Sequence, residues 1–312
     1  MIRALCIVAF LVTAGLAQKP DNILERVRNS SLPAAQREEL LRALSTKDYD
    51  RAADILNRQA AVAGKPLAAE LGALAGAVDF LGGRMDGAAR AFAQSDALVP
   101  LDDRDRFTWA MALVNLGDAK DARIELMRLN NSRQNTALYL YWLGRMDYEQ
   151  RLYREAVDKF RQVIRLEPDS SRAYDNLGLS LDMLGQPDEA RQAFLKGAEL
   201  NRALPKPSPW PPHNLGALLL RQQQLKEAET ALRESLRYDA GFSMAHYHLG
   251  RVLDAEGRDD ETIAEYRAAT TLDPPVLEAF YSLGLVYRRR GRRAEADAVF
   301  AEYKRRKSQS PP

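Results

Sequence analysis

A leucine-glycine pair recurs at Leu143-Gly144, Leu177-Gly178, Leu215-Gly216, Leu249-Gly250 and Leu283-Gly284, at intervals of 34, 38, 34 and 34 residues. No other feature constrains the fold as tightly. A fixed period of this length means that one supersecondary unit is copied, and that each copy buries its apolar face on the next. The rest of the unit repeats in register. Ala156 is echoed by Ala190, Ala228 and Ala296, with Thr262 the exception, and Phe160 by Phe194, Leu232, Tyr266 and Phe300. Pro168 is echoed by Pro274. Stepping back from Gly144 reaches Ala110 and then Gly76, with Ala122 and Ala88 at the alanine position and Leu126 and Phe92 at the aromatic one.

Two antiparallel helices per copy account for these residue types. Gly or Ala at the eighth position and Ala at the twentieth remove bulk where the helices cross, so that larger residues fill the flanks. Gly83, Gly117, Gly185, Gly257 and Gly291 share the fifteenth position, where a left-handed residue ends the first helix. Pro187 suits the first turn of a second helix, and Asp188 and Glu189 beside it complement the helix dipole. Tyr174, Leu177, Gly178 and Leu181 form the i, i+3, i+4, i+7 stripe of a core-facing helix.

The period divides the chain into repeats at 66–100, 101–134, 135–170, 171–204, 209–242, 243–275 and 276–308. A degenerate hairpin over 33–65 precedes them, with Leu40, Leu41 and Leu44 at helical spacing and Ala52 and Leu56 at the alanine and aromatic positions. Terminal repeats are atypical because one of their faces meets water. Residues 18–32 read as a polar lead-in with one weak helical stretch over 21–27. A proline-rich insert over 204–212 supplies the four extra residues of the longer interval. Trp210 within it has two readings, as packing against a neighbouring helix or as a contact for a partner.

Residues 1–17 stand outside the repeats. Arg3, the apolar run 4–12 and the small residues of Gly15-Leu16-Ala17 match an export signal cleaved near Ala17, which predicts a periplasmic or secreted protein. The one cysteine, Cys6, lies in that run, so the mature chain would hold neither a disulfide nor a thiolate metal site. A net charge of +2 gives no support for nucleic-acid binding. The charge is uneven, however: from Gly284 onwards there are nine basic and three acidic residues. That basic end reads either as the polar outer face of a final helix or as a surface for an anionic lipid or another polyanion.

Motifs that carry chemistry do not appear. His246 and His248, at i and i+2, point to opposite sides of a helix and cannot grip one metal together. There is no HExxH, phosphate-binding glycine loop or GxSxG elbow. No catalytic residue, cofactor or metal is assigned.

The ladder of Leu-Gly, Ala, aromatic and Pro positions resembles the tetratricopeptide-repeat family. The resemblance implies an all-α fold, a right-handed superhelix (α-solenoid) of about eight helical hairpins, with a concave groove lined mainly by the first helix of each unit. It also implies a protein or peptide partner in that groove. The second, fifth, ninth and twelfth positions then give the groove residues Phe107, Met111, Tyr141, Arg145, Tyr148, Arg172, Asp175, Asp182, Trp210, His213, Tyr247, Arg251, Asp254, Tyr281 and Arg288, with Leu179 and Leu285 also at the ninth. Tyr141/Arg145 and Tyr247/Arg251 pair an aromatic with an arginine, residue types enriched at contact surfaces. The same tyrosines also suit packing between adjacent first helices. The clamp for a C-terminal carboxylate found in chaperone-binding members is not matched, since its positions read Tyr141, Arg145, Asn176, Trp210 and Asn214. The expectation is an exported, non-catalytic scaffold for an envelope or secretion assembly, the alternatives being a module for glycan or anionic lipid and, third, an enzyme.

Overall fold

The computed structural model describes residues 20–133 and 136–309, and within them the chain forms seventeen α-helices and no strand. It divides into two compact units, Met1–Leu152 and Tyr153–Pro312. The residues expected to form an export signal lie outside the described ones. None of the described helices is long and apolar enough to cross a membrane.

Unit 1 contains α1 (Pro20–Asn29), α2 (Ala34–Ser45), α3 (Tyr49–Val62), α4 (Lys65–Leu81), α5 (Met85–Leu98), α6 (Asp103–Leu116), α7 (Ala119–Arg133) and α8 (Ala137–Glu149). Unit 2 contains α9 (Tyr153–Leu166), α10 (Ser171–Met183), α11 (Pro187–Arg202), α12 (Trp210–Arg221), α13 (Leu225–Tyr238), α14 (Ser243–Ala255), α15 (Asp259–Thr271), α16 (Leu277–Arg289) and α17 (Arg293–Gln309). Even-numbered helices from α2 to α16 are the first helices of their repeats, and odd-numbered ones from α3 to α17 are the second. Each unit is a stretch of α-solenoid in which successive helices in the chain pack as neighbours.

The repeat residues do what their spacing predicts. Leu177, Leu215, Leu249 and Leu283 are buried, as are Ala190, Ala228 and Ala296. Thr262 takes the alanine place without leaving a buried hydroxyl unsatisfied, because its Oγ1 donates to the Arg258 carbonyl at 2.9 Å. The glycine is needed for the aromatic side chain of the partner helix: a Cβ on Gly178 would stand 2.6 Å from the Phe194 ring, and one on Gly250 would meet Tyr266 at 2.6 Å. Asp48 and Asp102 cap the N-termini of α3 and α6, accepting from the amides of Arg51 and Asp105 at 3.1 and 2.8 Å.

The turn between the two helices of a repeat calls for positive φ whether or not glycine is present. Gly185 takes φ 72°, but Arg151 and Gln223 take 62° and 60° at the equivalent place in their own repeats. Those two side chains bear the crowding that glycine avoids. Second helices are linked along the stack by ion pairs, Arg161 to Glu189 at 3.1 Å and Arg233 to Glu261 at 3.5 Å, both spanning 28 residues. Arg202 grips Glu234 with two hydrogen bonds of 2.7 and 2.8 Å.

The lead-in is more than polar chain. α1 packs on α2 and α4, with Ile23 and Val27 fully buried. The insert is tied down as well. The Asn201 side chain donates to the Ser208 carbonyl and accepts from its amide, both at 2.9 Å, and α12 begins at Trp210 with Pro211 and Pro212 in its first turn.

Candidate functional site

The first helices of unit 2 bring several of the expected residues together. Asp175 on α10 accepts from the Asn214 side-chain nitrogen on α12, at 3.0 and 3.1 Å to its two oxygens. A carboxylate only accepts, so this contact sets which way the amide points and aims Asn214 Oδ1 at His213 Nδ1, 3.1 Å away. His213 Nδ1 must then carry the proton. Its Nε2 is left as the acceptor for His248 Nδ1 on α14, 2.9 Å away. The chain of four side chains therefore has one direction, and His248 Nε2 is its accepting end.

Burial keeps the two imidazoles of this chain neutral. It pushes the His213 pKa down to about 4, with the Asn214 hydrogen bond working the other way. His248 is held at about 3 by burial and then by His213, Arg251 and Arg221. His246, on the opposite side of α14, behaves differently. Burial opposes its charge, but Glu265 at 2.6 Å and the Ala240 carbonyl outweigh that and hold its pKa above the ordinary imidazole value.

Aromatic and charged groups surround the chain. Trp210 meets Phe242 and His213 edge-on, with centroids 4.7 and 5.8 Å apart, yet remains 45% exposed. One edge of the ring therefore packs on a neighbouring first helix and the rest meets solvent. Tyr247 lies against His248, and the exposed Arg251 sits over its ring at 5.9 Å. Asp182 pairs with Arg221 at 2.5 Å. Further along, Tyr281 is 48% exposed beside Phe300 and Tyr303, Asp254 is held by Arg289 at 2.6 Å, and Arg172 and Arg288 are exposed.

Unit 1 departs from expectation. Met111 has no exposed surface, Phe107 is 2% exposed with its ring 5.7 Å from that of Tyr139, and Tyr141 is also buried. These residues are packed within the unit and leave almost no open surface. Arg145 and Tyr148 are half-buried, with the Arg145 guanidinium 5.8 Å from the Trp142 ring.

The basic C-terminal stretch is largely engaged within the chain. Arg289 and Arg290 pair with Asp254, Asp259 and Asp260, Arg292 with Glu295, and Arg305 and Arg306 with Glu302. Among the described residues no group of three or more His, Cys, Asp and Glu is placed to hold a metal.

A family model described as "Tetratricopeptide repeat" matches residues 141–205, 213–276 and 263–311, just over half of the chain. None of the curated proteins matches. Among solved structures, the chain is similar to a tetratricopeptide repeat protein from Parabacteroides merdae (TM-score 0.60, 13% identity, covering 76% of this chain and 92% of that one). PilW, described as a widely conserved type IV pilus biogenesis factor, gives TM-score 0.59 at 20% identity, covering 67% of this chain and 94% of that one. PilF of Pseudomonas aeruginosa gives 0.55 at 20% identity, covering 70% and 97%. At these identities the likeness concerns the fold.

Proposed function

This chain belongs to the tetratricopeptide-repeat family, and from that premise we propose that it is a non-catalytic scaffold that docks a protein or peptide on the first-helix face of unit 2. The proposal includes export and service in an envelope or secretion assembly, which rest on the leader-like residues 1–17. The observation that carries the docking reading is the directed chain Asp175–Asn214–His213–His248 with Trp210 at its rim. It crosses three successive first helices, so the three are locked in one arrangement before any partner arrives. A preorganised surface loses little entropy on binding. Exposed Trp, Tyr and Arg at its edge are the residue types that most often dominate binding energy. The ion pairs of the C-terminal stretch favour this surface over a polyanion site there.

The test is to isolate the partner that cross-links to the exported chain and to titrate it against variants. Trp210→Ala combined with Arg251→Ala should weaken binding roughly 10- to 100-fold, as expected for two anchors of about 1 kcal/mol or more each. Arg292→Ala with Arg293→Ala should leave it within about twofold. The reverse pattern would move the site to the basic end, and turnover of a small molecule without a partner would replace the scaffold reading.

A further inference from the structure

We infer that the first-helix face of unit 1 is a helix-docking surface already filled by α1, and that its external ligand is an amphipathic partner helix of the same pattern: two aliphatic residues four apart, with an arginine just before the second. This concerns a different surface from the one in unit 2 and stands independently of it.

α1 has ten residues, too few to hold a helix by itself in water, so its order comes from what it lies on. It packs on α2 and α4 and reaches α6 through Arg26, whose two terminal nitrogens donate to the two oxygens of Asp105 at 2.8 and 2.7 Å. Those three are the first helices of successive repeats. One short helix thus lies against the first helices of three successive repeats.

The recognition is specific in chemistry. Ile23 and Val27 are fully buried on one face, and Arg26 between them meets a carboxylate that is itself 4% exposed. Burial pushes the Asp105 pKa up while the Arg26 hydrogen bonds pull it back, so a guanidinium is what this pocket accommodates.

The first helices that α1 packs on or reaches are closed at register positions that are more open elsewhere. The fifth and ninth positions of α4 and α6 are Ala73, Ala77, Phe107 and Met111, all buried. The equivalent residues of α14 and α16 are Tyr247, Arg251, Tyr281 and Leu285, of which Tyr281 and Leu285 are 48% and 44% exposed.

The attachment of α1 is short. Residues 30–33 join α1 to α2, fixed by the Ser30 hydroxyl on the Val27 carbonyl at 2.7 Å and by Arg37 on the Ser30 carbonyl at 3.3 Å. A short tether holds a ligand at an effective concentration in the millimolar range, so a competitor in solution is excluded until α1 lets go.

The experiment uses the full chain and a fluorescein-labelled peptide of residues 20–31, read by anisotropy. Ile23→Asp with Arg26→Ala should release α1 and let the peptide bind at least about tenfold more tightly than to the unaltered chain, where α1 competes. Adding Asp105→Asn to the released chain should weaken the peptide about tenfold, and so should replacing its arginine by alanine. Equal binding to released and unaltered chains, or no binding to a released chain of unchanged helicity, would overturn the inference. Hydrogen exchange of the unaltered chain gives a second reading that needs no variant. α1 amides should exchange at least about tenfold faster than those of α4 and α6, and exchange in step with them would make α1 a fixed part of the core and end the proposal.

Discussion

At the fifth and ninth positions of the first helices, α4 and α6 of unit 1 show a different surface from α14 and α16 of unit 2. Unit 1 holds Ala73, Ala77, Phe107 and Met111, all buried, whereas unit 2 holds Tyr247, Arg251, Tyr281 and Leu285, all at least partly open. The repeat register is the same in both. Register fixes the direction in which a side chain leaves its helix, and what lies beyond decides whether that direction ends in solvent. On α4 and α6 the register is apolar and buried, while on α14 and α16 it is largely aromatic or charged and more open.

The strongest test of this contrast is truncation. Met111→Ala should cost unit 1 about 2 to 5 kcal/mol, the range for deleting a buried long side chain, in urea denaturation. Leu285→Ala, at the same register position but 44% exposed, should cost less than about 1 kcal/mol. Similar losses from the two would erase the distinction between a covered and an open face.

Acid should separate the units nearly as strongly. His213 and His248 titrate in the folded chain at about 4 and about 3, below the ordinary imidazole value. On acidification the unfolded chain therefore takes up their protons first. Unit 2 should lose on the order of 2 to 4 kcal/mol between pH 6.5 and 5. His246 opposes this in part: its raised pKa contributes stability that is full below the ordinary value and is lost as pH rises through the folded one. In unit 1 the signs favour acid. Burial, ahead of their arginine contacts, raises Asp79 and Asp105, so their contribution is full below the unfolded carboxylate pKa and fades as pH rises. Hydrogen exchange at pH 7 and pH 5 should show unit 2 loosening more than unit 1, and His248→Gln should flatten the dependence. A uniform response of both units would contradict this assignment of charges.

The smallest effect concerns the turns. Gln223→Gly and Arg151→Gly, one in each unit, should each raise stability by about 0.5 to 1 kcal/mol, because the left-handed backbone there suits glycine and crowds a Cβ. Thermal midpoints that fall instead would mean that these side chains make contacts worth more than the strain.

The fold was legible because the Leu-Gly ladder, the aromatic position and the turn glycines all restate one local geometry, and a short motif in register carries it. Most of the candidate site was legible for the same reason. Asp175, Trp210, His213, Tyr247 and Arg251 follow from position alone. His248 was not found, because comparing it with His246 on its own helix showed only divergence. Comparing it with His213, one repeat back and one position earlier, is what brings the two rings together. The roles of Phe107 and Met111 could not be read, since their burial depends on surroundings that the register leaves out. The contact of Arg26 with Asp105 spans 79 residues and lies outside any period. No repeat signal marks α1, whose two buried aliphatic residues sit in an otherwise polar segment.

The ion pairs between successive second helices have a consequence for how arrays of this kind change length. Arg161 and Arg233 occupy one repeat position, and their partners Glu189 and Glu261 occupy another. Glu295 holds that second place again in the last repeat, where the charge of Arg267 acts on it. The glycine-aromatic clasp, in contrast, closes inside each hairpin, as between Gly250 and Tyr266. A deletion of residues 243–276 would therefore remove one closed hairpin and bring Arg233 opposite Glu295, joining ends that already match. Recombination can splice this gene by whole periods and keep the ion pair between second helices, so the number of hairpins is open to heritable change while that joint stays the same.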